Sequence, residues 1–106
     1  MSKILVTGGA GFVGTNLIKE LLKLEHSVVS IDDYSIGTNL NHQKGAKYIN
    51  GDISQIEKLI ENNFDYCFHL AGLSRIQPSF VDPEETFRVN TEGTLKVLQW
   101  AKKSNT

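Results

Sequence analysis

The unbroken apolar run Ile4-Leu5-Val6 gives way at Gly8 to a glycine-rich stretch, after which Val13, Leu17, Ile18, Leu21, Leu22 and Leu24 recur at helical spacing. That change of period predicts a buried strand over 3–7 followed by a helix with one apolar face. Ser27 to Asp32 reads as the next strand and completes a βαβ unit of about the length such crossovers need. Residues 35–45 are polar with two glycines, so a loop is expected, with a short helix near Thr38 to Gln43. Lys47 to Asn50 is a short strand ending at Gly51-Asp52. Ser54, with Glu57 three residues later, makes a capping-box pattern that predicts a helix through Asn62.

Tyr66 to Ala71 is nearly continuous in apolar residues, as expected of a central parallel strand covered on both faces. Asp82-Pro83-Glu84-Glu85 supplies an N-cap, a proline at the first helical position and a capping acid, opening a long helix to about Lys103. Two apolar stripes run along that helix. Phe87, Thr91, Thr94, Leu98 and Ala101 are expected to face the sheet, and Val89, Gly93, Val97 and Trp100 to line a second face. The element order predicts an α/β fold, a Rossmann-like doubly wound parallel sheet of strand order 3-2-1-4, with residues 1–106 forming one partial domain. Such a fold normally continues with a strand beside the fourth, so the sheet is expected to be truncated before its fifth strand, leaving an open edge at 65–71.

Composition narrows the function classes. A formal net charge of −1 offers no bulk attraction to nucleic acid or anionic lipid, and 40% hydrophobic with 22% charged residues is ordinary for a soluble globular domain. The single cysteine, Cys67, can form neither an intrachain disulfide nor a thiolate metal cluster, which fits a reducing cytoplasm. No stretch approaches the roughly 20 apolar residues of a membrane span.

The chemistry lies where strand turns into helix. Glycines there bring unpaired N–H groups and the positive end of a helix dipole to one point, where a diphosphate can sit. Gly8, Gly11 and Gly14 fit G-x-x-G-x-x-G, while Gly9, Gly11 and Gly14 fit G-x-G-x-x-G, so spacing alone leaves the register open. Asp32 ends the second strand about 20 residues beyond Gly11, the distance at which a carboxylate reaches the adenosine ribose hydroxyls. Its charge repels a 2′-phosphate, and Asp33-Tyr34-Ser35-Ile36-Gly37 holds no cation to welcome one, so NAD is expected over NADP. Asp33 serves equally well as a cofactor contact or as a loop acid. His69 reads as a packed histidine and Cys67 as core.

Taken together, Val6-Thr7-Gly8-Gly9-Ala10-Gly11-Phe12-Val13-Gly14, Asp32-Asp33, Gly51-Asp52-Ile53, His69-Leu70-Ala71-Gly72 and Val89-Asn90-Thr91-Glu92-Gly93-Thr94 resemble the extended short-chain dehydrogenase/reductase family, in particular its NAD-dependent nucleotide-sugar epimerases and dehydratases. The resemblance implies the register Gly8, Gly11, Gly14, with the N–H groups of Phe12 and Val13 on the diphosphate. It further implies that Asp52 bonds the adenine amino group, that Ile53 packs on the ring, that Leu70, Ala71 and Gly72 line the cofactor cleft, and that Asn90 orders backbone and water near the reaction centre. Ser74 and Arg75 are candidates for phosphate or substrate contact. In this family the long helix commonly packs on its twin, so the Val89, Gly93, Val97 and Trp100 stripe is expected to form a homodimer interface.

Catalysis in that family uses a tyrosine with a lysine four residues later. Here Thr38, Asp52 and Leu70 follow Tyr34, Tyr48 and Tyr66 at that distance, so no Tyr-x-x-x-Lys is present. The chain is expected to bind NAD without turnover, a nucleotide-sugar substrate engaging only a longer parent protein. The alternative is a stand-alone nucleotide-binding or dimeric interaction module.

Overall fold

The computed structural model describes residues 1–35, 37–71 and 83–106. Four parallel strands, β1 (Lys3–Thr7), β2 (Ser27–Asp32), β3 (Lys47–Asn50) and β4 (Tyr66–His69), form one sheet in the order β3-β2-β1-β4, the Rossmann-like arrangement. Thr7 is level with both Ile31 and His69, and Asp32 with Asn50, so the carboxyl ends of all four strands share one edge.

Alternation along the strands splits the core in two. On one face Ile4, Val6 and Val28 meet Ile18 and Leu21 of α1 (Phe12–Lys23). On the other, Leu5, Val29 and Ile31 meet a larger cluster with Ile53, Ile56, Ile60, Phe64, Val97 and Trp100. Trp100 is its largest fully buried side chain, its ring tilted against Phe64 with centroids 5.8 Å apart. Cys67 packs against this cluster, and burial pushes its thiol up to about 11.

Three expectations are corrected. The helix expected from Ser54 through Asn62 is a 3-10 turn (Ile53–Gln55) capped by Asp52, whose carboxylate accepts the Ser54 N–H at 2.9 Å, followed by a single α-turn, α2 (Ile56–Leu59), that has no side-chain cap of its own. The strand over 66–71 is not central among the described residues. Tyr66 and Phe68, level with Ile4 and Val6, remain 60% and 41% exposed, because α1 covers β1 and β2 but does not reach β4.

The third correction concerns the long helix. It runs as α3 (Pro83–Phe87), a π turn (Arg88–Glu92) and α4 (Gly93–Ser104). The stripe that faces the sheet is Gly93, Val97, Trp100 and Ser104, while Phe87 and Leu98 are 55% and 62% exposed. Periodicity finds two apolar stripes but cannot rank them; the structure seats Val97 and Trp100, the largest fully buried side chain, in the cluster that includes Leu5. Of the residues expected at a subunit interface, Gly93, Val97 and Trp100 are therefore core and Val89 is half-buried. Of the stripe expected to face the sheet, Thr94 and Ala101 do meet that side, Thr94 through His69 and Ala101 against the Trp100 cluster. Among the described residues no helix is long and apolar enough to cross a membrane.

Candidate functional site

At the carboxyl edge of the sheet, β1 runs into a turn in which Gly8 adopts φ +73° and donates its N–H to the Ile31 carbonyl at 2.8 Å. Such a left-handed residue is glycine's territory. At Gly14 the reason is contact: an added Cβ would lie 2.4 Å from the Gly8 carbonyl oxygen, so α1 starts almost against the loop. Gly11 stands at the N-cap, with no side chain capping the helix and no acidic residue in its first turn. The first N–H groups of α1 lack intrahelical partners by geometry, and the exposed Phe12 and Val13 sit there.

Asp32 lies beside this turn, 8% exposed. Its Oδ2 accepts the Ala10 N–H at 3.0 Å and its Oδ1 the Tyr34 N–H at 2.8 Å. The carboxylate thus holds the glycine loop to β2 and stabilises Tyr34 in a left-handed conformation, φ +62°. Asp33 is exposed and accepts the Ser35 N–H at 2.9 Å, the loop-acid half of its two readings.

From β4 the loop is met by Leu70 and Ala71; a Cβ on Gly8 would come 2.9 Å from the Ala71 nitrogen. Thr7, fully buried, organises this corner. Its hydroxyl oxygen accepts the N–H groups of Leu70 at 3.0 Å and Ala71 at 3.1 Å. With both lone pairs engaged, its proton goes to His69 Nδ1, 2.6 Å away. Nε2 is therefore the protonated nitrogen and donates to Thr94 Oγ1 at 2.9 Å, while Thr94 donates to the Asn90 carbonyl at 2.8 Å. Burial lowers the His69 pKa, in keeping with a neutral ring. The packed histidine expected from sequence is a relay joining β1, β4 and the long helix.

A profile of the NAD dependent epimerase/dehydratase family matches residues 4–106. The chain belongs to that family. It is 34% identical over 112 residues to a UDP-glucose 4-epimerase of Haemophilus influenzae, covering 95% of this chain and 33% of that one. Among solved structures, an epimerase from Methanothermobacter thermautotrophicus superposes with a TM-score of 0.91 at 35% identity, covering 97% of this chain and 32% of the other. The UDP-glucose 4-epimerase of Thermus thermophilus in complex with NAD superposes with a TM-score of 0.84 at 26% identity, covering 97% and 34%. The chain spans about a third of the length of these relatives.

The remaining epimerase/dehydratase motif positions fall along the same edge. Asp52 also meets Arg88, whose guanidinium lies 3.0 Å from its Oδ2 and grips Glu85 through two hydrogen bonds. Burial works to raise the Asp52 pKa, but Arg88 and the Ser54 N–H outweigh it and hold the carboxyl below its ordinary value. Ile53 is 6% exposed and buried against Gly93, where an added Cβ would come 2.5 Å from its Cδ1. Asn90 is exposed on the π turn, a widening of the helix that often marks functional positions. Gly72, Ser74 and Arg75 lie outside the described residues. The hydrogen-bonding roles of Thr7, Thr94 and Arg88 are not visible in the sequence, although Thr94 falls on a stripe expected to face the sheet, because the partners that define those roles include residues distant in the chain. A hydroxyl at the foot of the glycine turn, at the end of an apolar strand, is the one signal that points to Thr7.

Proposed function

We propose that this chain is the NAD-binding unit, residues 1–106, of an NAD-dependent nucleotide-sugar epimerase or dehydratase. The observation that carries the reading is the uncapped first turn of α1 beside the Gly8 turn, with the Asp32 carboxylate at the same edge. The fit is specific in charge and shape. Free N–H groups and a helix dipole favour a diphosphate, and a Cβ at Gly11 would meet nothing nearer than the Gly8 oxygen at 3.5 Å, leaving room for a ligand to approach the backbone.

The N–H groups of Phe12 and Val13 hold the diphosphate and Asp32 accepts from the ribose hydroxyls, with Asp33 at its rim. Asp52, shared with Arg88, takes the adenine amino group beside Ile53. Leu70 and Ala71 line the cleft, and Asn90 borders its inner end. NAD bound there supplies a hydride acceptor and donor for a sugar carbon. A Tyr-x-x-x-Lys pair is not among these 106 residues, so the chain by itself is expected to leave UDP-sugars unchanged.

Calorimetric titration with NAD tests the reading. Saturable binding is expected, weakened at least about tenfold by Asp32→Asn, which removes the charge from a hydrogen bond to ribose and turns an amide NH2 against the N–H of Ala10 or Tyr34. Absence of NAD binding by the wild-type chain, or epimerisation of a UDP-sugar by it, overturns the reading. We also propose a homodimer through the exposed Phe87, Leu95 and Leu98 stripe, opposite to the face expected from sequence. Sedimentation should show a dimer that Leu98→Lys dissociates; a strictly monomeric wild type excludes it.

A further inference from the structure

Ala10 is the most tightly held residue of the glycine loop. It is fully buried, and both peptides that flank it are fixed from outside the loop. The peptide joining Gly9 to Ala10 gives its N–H to Asp32. The peptide joining Ala10 to Gly11 has its carbonyl taken by the Asn41 side-chain N–H at 2.9 Å and by the Thr38 N–H at 3.3 Å. Gly37 lies against the same carbonyl, where an added Cβ would be 2.7 Å from the Ala10 carbonyl carbon and oxygen. Asn41 itself belongs to no motif and sits in a polar stretch of the sequence.

The segment that carries Asn41 is built as a strut. Asn41 closes a 3-10 turn (Asn39–Asn41), its N–H bonded to the Thr38 carbonyl at 3.1 Å and its own carbonyl accepting Gln43 Nε2 at 2.9 Å. The next residue, His42, stacks on Tyr48 of β3 with ring centroids 3.7 Å apart and planes 10° from parallel. Its Nε2 lies 2.5 Å from the Tyr34 hydroxyl, and the Gln43 N–H bonds the Tyr48 hydroxyl at 2.8 Å. The turn is thereby anchored to β3 at one end and, through Tyr34 and Asp32, to β2 at the other.

We propose that Asn41 is a positioning residue for dinucleotide binding: by holding the Ala10 carbonyl it sets the plane of the peptide from which the first turn of α1 begins, and so aims the N–H groups that receive the diphosphate. This rests on the NAD reading above. Because the Thr38 N–H also bonds the Ala10 carbonyl, at 3.3 Å, shortening Asn41 is expected to leave that oxygen satisfied and the chain folded. What is lost is the second, shorter bond that fixes the angle of the peptide.

The test compares the wild-type chain with Asn41→Ala and with Asn41→Asp, which keeps the shape but turns an acceptor toward the carbonyl. Each is titrated with NAD, ADP and adenosine, with thermal unfolding as a check and the Gly11 amide nitrogen resonance as a local probe, because that nitrogen shares a peptide with the Ala10 carbonyl. Affinity for NAD and ADP is expected to fall about three- to tenfold in Asn41→Ala, and further in Asn41→Asp, while adenosine binds as before and the Gly11 resonance moves. A purely structural role would weaken all three ligands alike together with the unfolding temperature, and that result overturns the proposal. So does an Asn41→Asp chain that binds ADP as the wild type does, with Gly11 unmoved; in that case the NAD reading stands. A wild-type chain that binds neither NAD nor ADP overturns both.

Discussion

Gly14→Val is expected to unfold the chain, whereas Gly11→Ala should leave it folded and strip it of its affinity for NAD. The two glycines are three residues apart and look alike in the motif, but their surroundings differ. A Cβ at Gly14 would lie 2.4 Å from the Gly8 carbonyl oxygen and 2.7 Å from the Gly9 Cα. These are backbone atoms at the crossing of β1 and α1, so relief requires moving the helix off the sheet. Overpacking of this kind costs about 3 kcal/mol or more, a large share of the roughly 5–15 kcal/mol that holds a small domain together. At Gly11 the backbone is at φ −80° and a Cβ would be in ordinary contact with one oxygen at 3.5 Å. The fold asks nothing of a glycine there, so the absent side chain serves whatever approaches from solvent. A methyl group on that surface should weaken NAD about a hundredfold, equivalent to about 2.7 kcal/mol. Circular dichroism melts and NAD calorimetry on both variants decide the matter. A stable Gly14→Val chain would show that the tight crossing is not required, and a Gly11→Ala chain with wild-type affinity would remove the diphosphate from this loop.

The same contrast explains what can be read from the residues alone. The strands at 3–7, 27–32 and 47–50 appear where expected, because their boundaries are local: an apolar run ends at glycine or at a charged residue. Gly14 and Asp32 are legible for a related reason, since a close crossing and a strand-end acid each restrict residue type at a fixed spacing, whereas the choice of Gly8 over Gly9 for the turn shows only in the backbone, at φ +73°. What escapes is long-range. Nothing near Asn41 announces that its side chain reaches Ala10, and nothing near His69 announces Thr94. The long helix eludes the pattern in one respect: it carries two apolar stripes of the same period, and nothing in that period says which of them meets the sheet. The cap lies two residues earlier than expected, at Asp52, because the capping-box pattern at Ser54 and Glu57 is weaker than an aspartate immediately before the turn that accepts the Ser54 N–H.

Thr7→Val should destabilise the chain by about 2–4 kcal/mol although the two side chains have nearly the same shape. The Leu70 N–H keeps the Thr7 carbonyl at 3.1 Å, but the Ala71 N–H loses the Thr7 hydroxyl and His69 Nδ1 loses its donor, each buried or half-buried. That corresponds to a fall in melting temperature of roughly 10–25 °C for a domain of this size. The relay also carries a pH dependence whose sign is determined. Burial lowers the His69 pKa in the folded chain below its ordinary value of 6.5, so as pH falls through 6.5 the unfolded chain takes up the proton first. Protonation of the folded form would put a second N–H against the Thr7 hydroxyl, which is already donating. Stability present above pH 6.5 is therefore lost as the pH drops toward the folded value and levels off below it. Asp52 acts with the same sign but lower, below its ordinary value of 3.8, so the two windows separate. Urea unfolding of the wild type and of His69→Asn at about pH 7.5 and about pH 5, on either side of the imidazole's ordinary range, isolates the histidine. The wild type should lose stability between the two conditions and His69→Asn should lose measurably less. Equal losses in the two chains would mean that His69 takes up a proton as readily in the folded chain as in the unfolded one, and burial of a neutral ring between Thr7 and Thr94 would not be the cause of the pH dependence.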